Sequence, residues 1–136
     1  MLKGECINPE INEVLAYLGH GSKILIVDAN YPLREKSGDA KKIYLGLKRG
    51  IPTSCEVLST LHSAINIESA EMMIPTDGSK AECVEEFRGE LCGIPIKTLD
   101  RFEFYSAAMA PNAVALAIST GEQRTFGCIL ITVGCA

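Results

Sequence analysis

The sequence predicts a single α/β domain spanning residues 1–136, with a mixed or mostly parallel sheet flanked by helices. Three observations carry this. Short apolar runs suited to buried strands recur along the chain, segments with helical spacing alternate with them, and 136 residues suffice for one domain with its own core. The clearest strand is Ile24, Leu25, Ile26 and Val27, which has no polar alternation, as expected where both faces are covered. It lies between Gly19-His20-Gly21 and Asp28-Ala29-Asn30. Ligands of open sheets bind beyond the carboxyl ends of the strands, which is where Asp28 falls.

Taken in order, Asn8 and Pro9 form a helix start, and Ile11, Val14, Leu15 and Leu18 follow on one face. Gly19 suits the C-terminal cap, so His20 sits on a tight connection between helix and strand. Residues 34–42 are polar and read as a surface loop, after which Ile43, Leu45 and Leu47 alternate as in a half-exposed strand. Thr53 with Glu56 makes a capping box, and Val57, Leu58, Leu61, Ala64 and Ile65 continue as a helical stripe. Residues 70–74 read as a third strand, ended by Pro75 and the turn formers Asp77 and Gly78. Ser79 with Glu82 predicts a second capping box and a helix to Leu91. Residues 94–98 contain Pro95 and so make an edge strand or an extended link. Asp100 with Glu103 predicts a further capped helix, ended by Pro111, and strands over 113–119 and 128–133 complete the chain.

A net charge of −4, a pI near 5.2 and the absence of Trp argue against a nucleic-acid partner, which requires clustered Lys and Arg. No stretch approaches the roughly 18 apolar residues of a membrane span, and the first residues lack a signal-peptide core, so a cytoplasmic protein without a membrane partner is expected. The six cysteines form no Cys-x-x-Cys pair and are expected as reduced thiols. Neither His20 nor His62 has a cysteine nearby in sequence, so no metal site is expected.

The Walker loop, G-x-G-x-x-G, H-E-x-x-H and G-x-S-x-G are all missing. His20 is the candidate acid/base group, since imidazole changes protonation near neutral pH and a nearby Asp28 would fix its tautomer. His62 falls within a helical stripe and reads as structural or surface. Arg101, a cation at a helix start, opposes the helix dipole unless an anionic or polyhydroxylated partner compensates, which makes it a candidate for ligand contact. Cys128 reads from its own surroundings as a packing residue.

Taken together and in order, several segments resemble the ribose pyranase and fucose mutarotase (RbsD/FucU) family. They are Met1-Leu2-Lys3-Gly4, Gly19-His20-Gly21, Asp28 to Pro32, Arg101-Phe102-Glu103-Phe104-Tyr105, Thr120-Gly121-Glu122 and Val133-Gly134. The Arg101 to Tyr105 segment looks more like the fucose branch than the ribose branch. The resemblance implies a sugar mutarotase without cofactor that opens and recloses a monosaccharide ring, L-fucose first and D-ribose second. It also implies a homo-oligomer, typically a decamer, with pockets near subunit boundaries. His20 matches the family's proton donor, Asp28 its sugar-binding aspartate and Arg101 the fucose branch's binding arginine. The family's Tyr-Gly-Asn binding element falls on Phe126, Gly127 and Cys128, which lack the phenolic hydroxyl and the side-chain amide. Those two departures favour the competing reading, a monosaccharide-binding or sugar-transport accessory protein without turnover.

Overall fold

In the computed structural model, which describes residues 1–136, four helices are interspersed among six strands, with two strands in succession after the first helix and again at the end. Helix α1 (Pro9–Leu15) starts where Asn8 Oδ1 accepts from the Ile11 amide at 3.0 Å, and only Ile11 is buried from it. The glycine predicted to end it does not do so: α1 stops at the Ala16 cap, and the left-handed residue is Gly21, with φ of 86°. Gly19 instead opens a tight turn in which its amide donates to Ser22 Oγ while the Ser22 amide donates back to its carbonyl. His20 rides on that turn.

Strand β1 (Lys23–Val27) is the hub of the sheet. It pairs parallel with β5 (Val114–Ser119) on one side and antiparallel with β6 (Ile129–Val133) on the other. Beyond β5 lies β2 (Lys41–Tyr44), and beyond β6 lie β3 (Ile67–Met73) and β4 (Ile96–Leu99), giving the order β2-β5-β1-β6-β3-β4. Every pairing is parallel except the two that β6 makes, so β6 alone runs against the rest. Strand β2 begins two residues before the alternating run that predicted it, because it is an edge whose burial rests on Ile43. Its paired Lys41 and Lys42 therefore face water at little cost, as edge lysines do.

The period of two in β1 divides its side chains between two cores. Ile24 and Ile26 face a larger cluster completed by Val57, Leu58 and Leu61 of α2 (Ser54–His62) and Val84 and Phe87 of α3 (Glu82–Glu90), with Ile11 of α1. Leu25 and Val27 face a smaller one built on Phe104 and Ala108 of α4 (Arg101–Met109), with Tyr31 and Leu33 from the segment after β1. Thr53 with Glu56 and Asp100 with Glu103 both form the predicted capping boxes. Ser79 with Glu82 does not: the N-cap of α3 is Ala81, without a side-chain bond, and Glu82 reaches across to Arg124 instead. All six cysteines are free thiols, and no helix is long and apolar enough to cross a membrane.

Candidate functional site

Asp28 follows β1 directly, where the strand's amide ladder ends and the chain must turn, and it is only 4% exposed. A buried carboxylate is tolerated only when its oxygens are satisfied. Here Oδ1 accepts from the Asn30 amide at 2.9 Å, while Oδ2 accepts from the Gly127 amide at 3.1 Å and from the Cys128 thiol at 3.3 Å. Because β6 runs antiparallel, its first residues arrive beside the end of β1, and residues a hundred apart in sequence meet. Gly127 is required by this approach, since a Cβ there would lie 2.9 Å from Glu122 Cγ and 3.1 Å from Asp28 Cβ. Burial, reinforced by the charge of Asp28, pushes the Cys128 thiol well above its ordinary pKa. Cys128 is thus a neutral donor to Asp28 rather than a nucleophile.

The loop that delivers Gly127 is braced from below. Thr120 Oγ1 donates to the Val27 carbonyl at 2.9 Å, and Ser54, at the first position of α2, donates to the Gly127 carbonyl at 2.8 Å. The Ala29 amide donates to the Glu122 carbonyl at 2.8 Å, tying the turn after Asp28 to the same loop. Hydrogen bonds from Arg124 hold the buried Glu122 carboxyl below the usual carboxylate range. Phe126 adopts a left-handed backbone, φ 62°, which is uncommon for a bulky residue. Its ring is half-buried and packs against both cores.

An aromatic wall adjoins Asp28. Tyr31, three residues on, stands edge-on to Phe104 at 6.1 Å and to Tyr105 at 5.3 Å. Its hydroxyl donates to the Lys36 carbonyl at 2.6 Å, and burial raises its pKa well above the ordinary phenol. Arg101 extends this wall: its Nε donates to the Tyr105 hydroxyl at 2.9 Å, and its guanidinium lies 5.4 Å from the Tyr105 ring centre and 5.9 Å from that of Phe102. The ring stacking that planar guanidinium favours thus offsets the unfavourable position at the helix start. Asp28, Gly127 and Cys128 therefore converge by direct bonds, with Phe126 alongside them and Arg101 linked through Tyr105 and Tyr31.

His20 is elsewhere. It precedes β1 whereas Asp28 follows it, and the five residues of the strand lie between them, so within one chain they stand on the order of 20 Å apart. The imidazole Nε2 meets Glu68 Oε2 at 2.7 Å, so the carboxylate expected to orient His20 is Glu68 rather than Asp28. His20 lines a cleft of about 620 Å³ with Asn66, Val133 and Gly134, among others, at the far end of β6. His62 also borders this cleft, and its Nδ1 meets Glu90 Oε1 at 2.9 Å. Nowhere do three His, Cys, Asp or Glu side chains converge as a metal site would require.

The whole chain, residues 1–136, matches the model of the RbsD / FucU transport protein family. The chain belongs to that family. Among its relatives, a D-ribose pyranase from Geobacillus kaustophilus is 28% identical over 134 residues, covering 98% of this chain and 94% of that protein. A D-ribose pyranase from a Thermoanaerobacter species is 30% identical over 138 residues, covering 98% of each. Bacillus subtilis RbsD complexed with D-ribose shares the fold with a TM-score of 0.87 at 25% identity, over 100% of this chain and 99% of that one. The fucose mutarotase of Streptococcus pneumoniae in complex with L-fucose has the same fold, with a TM-score of 0.78 at 22% identity over 96% and 94% of the two chains.

Within this RbsD/FucU chain, sequence reasoning missed Glu68, Tyr31, Ser54 and Arg124 as parts of the two regions. Glu68 and Ser54 meet partners 48 and 73 residues away, so no local spacing marks them. Glu122 and Arg124 did carry a signal, since opposite charges two residues apart inside a loop between apolar strands are positioned to bond.

Proposed function

We propose that this protein interconverts the ring forms or anomers of a monosaccharide by general acid/base opening and closure of the ring. The observation that carries the reading is the convergence of a buried Asp28 with the 126–128 segment at the carboxyl end of β1. A carboxylate accepts about four hydrogen bonds, and three donors from the chain already occupy Asp28, so room for one sugar hydroxyl is left. Arg101 and the Tyr105 ring, backed edge-on by the buried Tyr31, offer a partly polar surface against which a sugar ring can lie.

Ring opening needs a proton delivered to the ring oxygen and another removed from the anomeric hydroxyl. His20 is the group suited to this, with Glu68 fixing its orientation and tautomer. Since β1 separates His20 from Asp28, the complete site joins the His20 end of one copy to the Asp28 end of another. This is the reading of the oligomer that the geometry favours, the decamer of the family being one assembly that would satisfy it. No cofactor enters the scheme.

The sugar proposed is L-fucose, on the strength of Arg101 beside Tyr105 and of the apolar Phe126 ring, which suits the methyl group of a 6-deoxy sugar. D-ribose is the second reading, favoured by the pyranase relatives described above. Saturation-transfer NMR on the anomeric protons of both sugars is the test. Faster exchange of L-fucose than of D-ribose, lost in His20→Ala, is the expected result. Exchange at the solvent rate with saturable binding in calorimetry would replace the enzyme with a sugar-binding accessory protein.

A further inference from the structure

Arg124 makes more polar contacts than any group that touches Asp28, yet it touches neither Asp28 nor the segment that binds it. Its Nε and Nη2 donate to the two Glu122 oxygens at 3.0 and 2.8 Å, and its Nη1 and Nη2 donate to the two Glu86 oxygens at 2.6 and 3.0 Å. A further bond from Nη1 reaches Glu82 at 3.2 Å. Glu82 and Glu86 lie four residues apart on one face of α3, so a single guanidinium spans a helix face on one side and a loop carboxylate on the other. Two forked pairs on one cation need the planar, five-donor geometry of arginine, which lysine cannot reproduce.

The other side of Glu122 is what this clamp holds still. The Glu122 side chain is 3% exposed, and its carbonyl accepts from the Ala29 amide beside Asp28. The Glu122 Cγ is also the atom nearest to any Cβ at Gly127. Glu122 is thus wedged between the turn that follows Asp28 and the residue whose amide bonds Asp28. Between Arg124 and Gly127 the chain passes through the left-handed Phe126, a conformation that persists only where the surroundings fix it. The outer side of Arg124, Thr125 and Phe126 opens on a cleft of about 310 Å³, so packing from that direction does not supply the restraint.

We propose that Arg124 is a positioning residue: by clamping Glu122 to α3 it keeps the Gly127 amide and the Cys128 thiol on Asp28, and so sets how tightly the pocket holds its sugar. The affinity part of this inference rests on reading the Asp28 pocket as the sugar site. The loop-ordering part stands on the contacts alone.

The test compares wild type, Arg124→Gln, Arg124→Lys and Glu86→Gln by anomeric-exchange kinetics, by calorimetry with L-fucose and D-ribose, and by hydrogen–deuterium exchange. Arg124→Gln is expected to raise KM and Kd about tenfold while kcat stays within about threefold, the pattern of lost ground-state binding. Deuterium uptake over 120–128 should quicken about tenfold while β5 keeps its protection. Arg124→Lys and Glu86→Gln, which keep part of the clamp, should fall between wild type and Arg124→Gln, and they serve as the readout if Arg124→Gln does not fold. Unchanged Kd and unchanged uptake over 120–128 in these variants would overturn the inference. So would a lowered Tm with uniform loss of protection and no change in KM, which marks a brace of general stability. If the wild type binds sugar without turning it over, the mutarotase reading fails while Kd and deuterium uptake still judge the clamp. If it binds neither sugar, the affinity part fails with that reading.

Discussion

At the leading end of β1 an imidazole and a carboxylate meet in water, with the His20 side chain 57% and the Glu68 side chain 43% exposed, whereas at the trailing end Asp28 is buried beneath three donors. A half-exposed hydrogen-bonded pair of this kind adds little stability and is free to reorient. A buried carboxylate held by three donors is fixed, and stranding its buried donors would be costly. Under the proposed function the contrast would separate two tasks of one reaction, the trailing end holding the ligand and the leading end offering a reactive group that gains its surroundings only when something docks against it.

The sharpest way to break that contrast is to remove one residue from each end. His20→Ala should lower anomeric exchange by about 10² to 10⁴-fold, the usual span of general acid/base catalysis, while leaving the thermal midpoint within about 2 °C. Exchange NMR and differential scanning calorimetry on the same preparation read both. Asp28→Ala should show the opposite balance. It strands the buried Gly127 amide and Cys128 thiol, at about 1–3 kcal/mol for the amide, while the exposed Asn30 amide turns to water, so Tm should fall by roughly 3–12 °C as sugar binding is lost. A wild-type Tm for Asp28→Ala would contradict the preorganised picture.

A smaller effect tests whether the two ends cooperate between copies. Unfolding and refolding an equal mixture of His20→Ala and Asp28→Asn chains should restore about a quarter of the wild-type exchange rate, because random pairing of copies reunites the two intact ends at that frequency. No recovery, with mixed oligomers demonstrated by mass spectrometry, would remove the shared site. The smallest effect concerns pH. Glu122 is held below its ordinary pKa by Arg124, so its contribution to stability is complete above the unfolded value and is lost as pH falls through the lower folded value. Below about pH 4.3 the Tm of the wild type should drop more steeply than that of Glu122→Gln, a difference that a pH series of thermal melts resolves.

Much of this molecule was legible in the order of its residues. Asn8, Thr53 and Asp100 mark three helix starts because capping is local chemistry, and the unbroken run from Ile24 to Val27 marks a covered strand because it lacks any polar face. Where the local pattern misleads, the cause lies in the three-dimensional arrangement. Ser79 and Glu82 have the spacing of a capping box, but a charge-assisted bond to Arg124, 42 residues on, draws Glu82 away. The expectation that Asp28 fixes the His20 tautomer follows from their closeness in sequence on either side of one strand, yet flanking a strand is what keeps them apart. The resemblance implies that Asp28 and residues 126–128 serve one site, but their meeting depends on the direction of β6, which residue periodicity does not reveal.

That reversed strand has a mechanical consequence. Its first residues lie beside Asp28, while its last one bonds the His20 turn, with the Gly21 amide donating to the Val133 carbonyl at 2.9 Å and the Val133 amide donating to the Ser22 carbonyl at 2.8 Å. A strand paired along both edges hardly stretches, so β6 acts as a rigid ruler between the His20 turn and Asp28. In an assembly of identical copies, that ruler would fix the spacing from each pocket to the next. Adding a single residue to β6 would both lengthen it and turn its side chains to the opposite faces, throwing each pocket out of step with its neighbour.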